Sequence, residues 1–231
     1  MSTPLHSVRF PGESREYRDA RDALLEEELE LRRSLERVAA MRRKLPIGGL
    51  IPKDYVFDEI GANGDARRPR LSELFAPGTT SLVVYSFMYG PDAERPCPMC
   101  TSFLDGLDGS VPHITQRASL AVVAKSPIGR IREWAQSRGW QNLRFLSSHG
   151  NTYNADYFAE LSHGGQLPAC NVFVRDDGGI RHFYSAEMLY VPVEGHTRHV
   201  DLLWPIWSFF DLTPEGRENW MPRLVYDGHG R

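Results

Sequence analysis

The stretch from residue 81 to residue 124 constrains the fold most. Ser81-Leu-Val-Val-Tyr-Ser-Phe87 is almost continuously apolar, the pattern of a strand covered on both faces. A loop leads to Cys97-Pro-Met-Cys100, which opens a helical stretch through Ser102-Phe-Leu-Asp-Gly-Leu107. A second buried strand follows at Ala118-Ser-Leu-Ala-Val-Val-Ala124. Strand, helix and strand in this order call for a right-handed parallel crossover.

The rhythm continues downstream. Pro127 opens a helix through Ile131, Trp134 and Ala135, and Gly139 ends it. Leu143-Arg-Phe-Leu146 reads as a short strand and Asn154 to Glu160 as a short helix. Cys170-Asn-Val-Phe-Val-Arg175 and Ile180-Arg-His-Phe-Tyr-Ser185 flank the turn Asp176-Asp-Gly-Gly179 and form a hairpin. The expected fold is therefore α/β: a three-layer, thioredoxin-like sandwich whose mixed sheet has a parallel βαβ part and a C-terminal hairpin.

Two domains are expected: a helical arm over residues 1–45, and residues 46–231 as the α/β domain with a C-terminal extension. In the arm, residues 14–44 lack Pro and Gly, and Leu24, Leu31, Val38 and Leu45 recur every seven residues. Leu35 and Met41 widen the stripe. It suits packing on the chain's own domain or a homodimer arm, and the pattern leaves both open. Asp54 to Asp58 alternates like an edge strand, and Leu71 to Phe75 reads as one helical turn. Val200 to Phe210 is strongly apolar, reads as helix around Pro205, and suits a cover for a sheet face or a dimer seam.

Chemistry concentrates at the cysteine pair. A helix N-terminus carries partial positive charge and free N–H groups, so it favours a thiolate on Cys97. Pro98 suits the first helical turn and stiffens it. The C-x-x-C spacing puts Cys100 on the same turn, where it can resolve a mixed disulfide formed by Cys97. Pro168 precedes the strand beginning at Cys170. In a thioredoxin-like domain such a proline is usually cis, faces the dithiol and shapes a groove where an extended substrate pairs by strand addition; the sequence leaves the isomer open, and a simple strand-start proline fits it too. Cys170 reads as a small core residue with a third-thiol role open.

A metal site is the alternative. Cys97 and Cys100 would then bind copper or zinc with histidine ligands, His163 and His182 being the candidates. His196 and His199, spaced i,i+3, form another candidate pair, and Glu187 is a candidate base. The leading reading needs no cofactor. It takes a protein disulfide, a small thiol or a peroxide as substrate.

Composition narrows the partners. The 231 residues carry a formal net charge of −3, without the basic surplus of a nucleic-acid binder. No apolar run approaches a membrane span, and residues 1–8 do not read as a signal peptide. The expected location is the cytoplasm, and three cysteines there are not a disulfide framework.

The chain resembles the bacterial family of uncharacterised proteins DUF899, described as thioredoxin-like, over roughly residues 20–226. The carrying stretches are Val84-Tyr-Ser-Phe-Met-Tyr-Gly-Pro91, Cys97-Pro-Met-Cys-Thr-Ser-Phe-Leu-Asp105, Trp140-Gln-Asn-Leu-Arg-Phe-Leu-Ser-Ser148, His199-Val-Asp-Leu-Leu-Trp-Pro205 and Phe210-Asp-Leu-Thr-Pro-Glu-Gly-Arg217. Within the wider superfamily, Phe145 to Ser148 followed by Tyr153 to Tyr157 is similar to the insert of peroxiredoxins and copper-chaperone Sco proteins. That resemblance gives Cys97 the place of a peroxidatic cysteine. The chain departs from both patterns. Glu94 stands where peroxiredoxins have Thr, the C-x-x-C is one residue tighter than the Sco spacing, and His163 only approximates the Sco histidine. Pro96-Cys-Pro-Met-Cys100 is closer in style to glutaredoxins and implies no glutathione site.

Overall fold

A computed structural model describes residues 5–191, 200 and 203–226. The chain divides into two compact units, Met1–Pro46 and Ile47–Arg231. The first is built on helix α1, Arg15–Arg43. Ser14 caps it by accepting from the Tyr17 N–H at 3.1 Å, and Arg42 and Arg43 place positive charge at its C-terminal end. Arg18 is its one buried residue, ion-paired to Glu13 at 3.4 Å and Asp22 at 3.1 Å.

The second unit is organised by a five-stranded sheet in the order β5-β4-β3-β6-β7. The strands are β3 (Ser81–Phe87), β4 (Ser119–Ala124), β5 (Phe145–Ser147), β6 (Ala169–Asp176) and β7 (Gly179–Ser185). β3 lies at the centre because its side chains find apolar cover on both faces. β4 and β5 run parallel to it on one side, and β6 and β7 add antiparallel on the other. Helices α2 (Pro98–Asp108) and α3 (Val111–Ile114) join β3 to β4, and α4 (Ile128–Arg138) joins β4 to β5. Gly139 closes α4 at φ 73°, a left-handed cap that suits glycine.

The sheet has two different outer layers. On one face Tyr85, Phe87, Val122, Ala124 and Cys170 lie under Cys100, Phe103 and Leu104 of α2, Ile131 of α4, and Trp204 and Trp207. On the other, Leu82, Val84, Val123, Leu146 and Phe173 lie under Tyr55, Phe57, the 3-10 turn Leu71–Leu74 and Tyr153. The second layer is thus largely irregular chain clasped by aromatic rings, such as Tyr55 edge-on to Tyr153 at 5.4 Å. This is the thioredoxin-like sandwich expected from the sequence.

Several local expectations change. Asp54 to Asp58 is not a regular edge strand but makes isolated bridges, Val56 to Arg70 and Asp58 to Ser147. Regular pairing starts one residue later, in the small hairpin of β1 (Glu59–Ile60) and β2 (Ala66–Arg67). The expected helix from Asn154 to Glu160 shortens to α5, Tyr153–Asp156, because Phe158 turns to φ 55°. The apolar C-terminal stretch forms α6 at Ile206–Phe210 with Pro205 at its N-cap, and Trp204 and Trp207 cover a sheet face. The Leu167–Pro168 bond, whose isomer the sequence leaves open, is trans. His196 and His199 lie outside the described residues.

Candidate functional site

The site forms where β3 ends and α2 begins. Cys97 is the N-cap of α2, held in place by its N–H donating to the Met88 carbonyl at 3.0 Å. Pro98 occupies the first turn, where no N–H is needed, and is exposed beside the thiol. Cys97 is partly exposed and Cys100 is buried. One turn of helix thus offers one sulfur to solvent and keeps the other beneath it.

The two thiols are driven in opposite directions. The Cys97 thiol falls to about 6, chiefly because Cys100 donates toward it, helped by the Cys100 and Met99 N–H groups and opposed by burial. Burial and the neighbouring Cys97 push Cys100 well above the usual thiol range. This is the division a nucleophile and a resolving thiol need.

Residues with no sequence signal complete the surroundings. Tyr85 is buried against Phe103, ring centres 4.7 Å apart, with its hydroxyl within hydrogen-bonding reach of the Cys100 thiol. Cys170 pairs with Tyr85 across β3 and β6. Burial pushes its thiol up to about 11, so it enters this neighbourhood as a protonated core residue. The loop presenting Cys97 is pinned from α4: Arg130 donates to the Pro91 and Ala93 carbonyls and lies 4.9 Å over the Tyr89 ring. The Ser126 hydroxyl adds a bond to the Gly90 carbonyl at 3.0 Å. These contacts join residues about 36 to 39 apart in sequence, so no local pattern could reveal them.

Pro168 lies one residue before the Ser86–Ala169 pair, at the end of β3 that leads to Cys97, and is buried. The metal ligand set suggested by the sequence is not brought together. His182 faces the opposite side of the sheet, packed against Phe173 and Tyr157 and bonded through Nε2 to the Asn171 Oδ1 at 3.0 Å. The hairpin register causes this, because pairing from Asp176–Gly179 runs unbroken to Phe173–His182. His182 therefore shares the Phe173 face, and a bulge just beyond it pairs Val172 with Tyr184 and turns Tyr184 to the dithiol face. His163 sits exposed in a turn. Glu187 acts on His182 rather than on the thiols. Among the described residues, no three His, Cys, Asp or Glu side chains gather as a metal site.

Comparison with solved structures returns redox proteins. A reduced 2-Cys peroxiredoxin of Plasmodium vivax shares 16% identity with a TM-score of 0.48, covering 72% of this chain and 96% of that one. Peroxidoxin BcpB of Mycobacterium tuberculosis shares 21% at a TM-score of 0.44, covering 69% and 94%. The exposed lipoprotein thioredoxin Etrx1 of Streptococcus pneumoniae shares 14% at 0.41, covering 64% and 95%. No curated protein matches the chain. The family model described as "Bacterial protein of unknown function (DUF899)" matches residues 7–227, nearly the whole length, and the chain belongs to that family.

Proposed function

We propose that the protein is a thiol–disulfide oxidoreductase working through Cys97 and Cys100. The supporting observation is the split between the thiols: a partly exposed Cys97 drawn down to about 6 beside a buried Cys100 held protonated. The Cys97 thiolate attacks one sulfur of a substrate disulfide, forming a mixed disulfide and expelling the other sulfur as a thiolate. Cys100 then gives up its proton and attacks the Cys97 sulfur, releasing the second substrate thiolate and closing the Cys97–Cys100 disulfide. The substrate gains two electrons and the dithiol loses them. A thiol reductant restores the pair, which fits a reducing compartment such as the cytoplasm.

Pro98 would form part of the docking surface, and Pro168 would shape it from beneath. Disulfides lead over peroxides because the groups acting on the Cys97 sulfur are Cys100 and two backbone amides. A peroxide would follow the same route through a sulfenic acid on Cys97, with Cys100 condensing to expel water.

The test uses purified protein with a model protein disulfide, a small disulfide and hydrogen peroxide as separate substrates. Cys97→Ser abolishes turnover, and Cys100→Ser accumulates a mixed disulfide at Cys97. Full activity of both variants on all three substrates sinks the proposal.

A further inference from the structure

Within its own unit, the apolar stripe along α1 has no cover. Tyr17, Leu24, Leu31, Val38 and Leu45 are spaced by seven residues and are 48%, 49%, 61%, 40% and 42% exposed; Leu35 is 38% exposed. The helix has 29 residues, about 43 Å at about 1.5 Å per residue. A helix owes most of its stability to burying an apolar face, and α1 buries only Arg18. Its surface ion pairs, such as Arg33 to Glu30 at 3.3 Å, contribute little. A sustained seven-residue stripe of this kind supplies one of the two core positions of a coiled coil.

Charge identifies the partner and its direction. Glu26, Glu27, Glu28 and Glu30 form an acidic block, while Arg37, Arg42, Arg43 and Lys44 form a basic one. The second core position of the heptad is filled by Arg21, Glu28, Leu35 and Arg42. In a parallel pair each of these faces its own copy, setting Arg21 on Arg21, Glu28 on Glu28 and Arg42 on Arg42 in the seam. An antiparallel pair centred between Leu31 and Leu35 sets Glu28 against Val38, Leu35 against Leu31 and Arg42 against Leu24, and lays the acidic N-terminal half of the helix along the basic C-terminal half. We infer that α1 joins a second copy of this chain as an antiparallel coiled coil, independently of the dithiol chemistry.

Sedimentation of the full chain tests the association, and electron–electron distances test its direction. The wild-type protein is expected to be a dimer at micromolar concentration, and Leu31→Glu with Leu35→Glu a monomer. Unchanged far-ultraviolet circular dichroism and unchanged Cys97 alkylation show that this variant is folded. A second pair of variants leaves every apolar residue of the stripe in place: Glu26, Glu27, Glu28 and Glu30 all to Lys, and Arg37, Arg42, Arg43 and Lys44 all to Glu. Each alone is expected to be monomeric and the mixture dimeric. Spin labels at Asp19→Cys, in a Cys97→Ser, Cys100→Ser background, should lie about 40 Å apart in the antiparallel pair, against about 10 Å in a parallel one. A wild-type chain that stays monomeric overturns the association, whether the stripe docks on the chain's own second unit or on another protein. A short label distance overturns the antiparallel geometry.

Discussion

Cys97 carries two opposing influences, and their balance sets what the thiol can do. A fall from 9.0 to about 6 raises its thiolate fraction at pH 7 from about 1% to about 90%. The same fall makes each thiolate a weaker nucleophile, by roughly 20-fold on the usual dependence of reactivity on basicity. The net kinetic gain is then roughly fourfold, so the shift acts mainly on the equilibrium of the couple rather than on its speed. The direct check is alkylation. The rate at Cys97 should climb through a midpoint near pH 6 and level off above it, because the reactive fraction is complete there. Cys100→Ala removes the largest cause of the shift, so the midpoint should move upward. A midpoint near the ordinary thiol value in the unmodified protein would refute this account of the site.

At the level of elements, the legible parts of the fold were those whose patterns are local. β3 and β4 announced themselves as continuous apolar runs, α2 by its cysteine and proline start, and α4 by Pro127 and Gly139. The second outer layer was not legible. Tyr55, Phe57, Leu71 and Leu74 are scattered apolar residues in loop-rich sequence, made into a layer only by the sheet they cover. The same division holds in the site: spacing exposed Cys97 and Cys100, while Tyr85 reaches Cys100 through strand register and Ser126 and Arg130 hold the loop before Cys97 through long-range contacts. His182 shows the limit of alternation, which allowed either Arg181 or His182 to look inward; the register running from the Asp176–Gly179 turn sets His182 opposite Phe173, away from the dithiol. His182→Ala leaves the Asn171 carbonyl oxygen without that partner and removes ring contacts with Tyr157 and Phe173. It should lower stability by about 1–3 kcal/mol in urea unfolding. Cys97 alkylation should not change, since the sheet lies between them. A changed alkylation profile would return His182 to the dithiol site.

For the whole molecule, the depressed Cys97 ionisation would, under the proposed dithiol chemistry, tie folding to redox state. The folded dithiol holds a thiolate that the unfolded chain holds only at higher pH. By linkage the reduced protein gains stability as pH rises from about 6 towards 9 and loses it as pH falls back through that window. Above pH 9 the gain stops, because the unfolded chain also ionises there, and the buried Cys100, which resists ionisation, favours unfolding. The oxidised protein has neither group to ionise, so it lacks this dependence. Its disulfide closes a very short loop and so restricts the unfolded chain little. The reduced form should therefore melt at a higher temperature than the oxidised form at pH 8, with the gap narrowing towards pH 6. A thermodynamic cycle requires the same preference to appear as an oxidising potential, since whatever favours the folded dithiol disfavours its disulfide. Thermal melts of both redox forms across this pH range measure the gap, and equilibration with a glutathione buffer measures the potential. A gap independent of pH would show that the thiolate is not what stabilises the reduced state. Cys97→Ser serves as the control, because its melting temperature should lose the rise between pH 6 and 9 while the fold is retained.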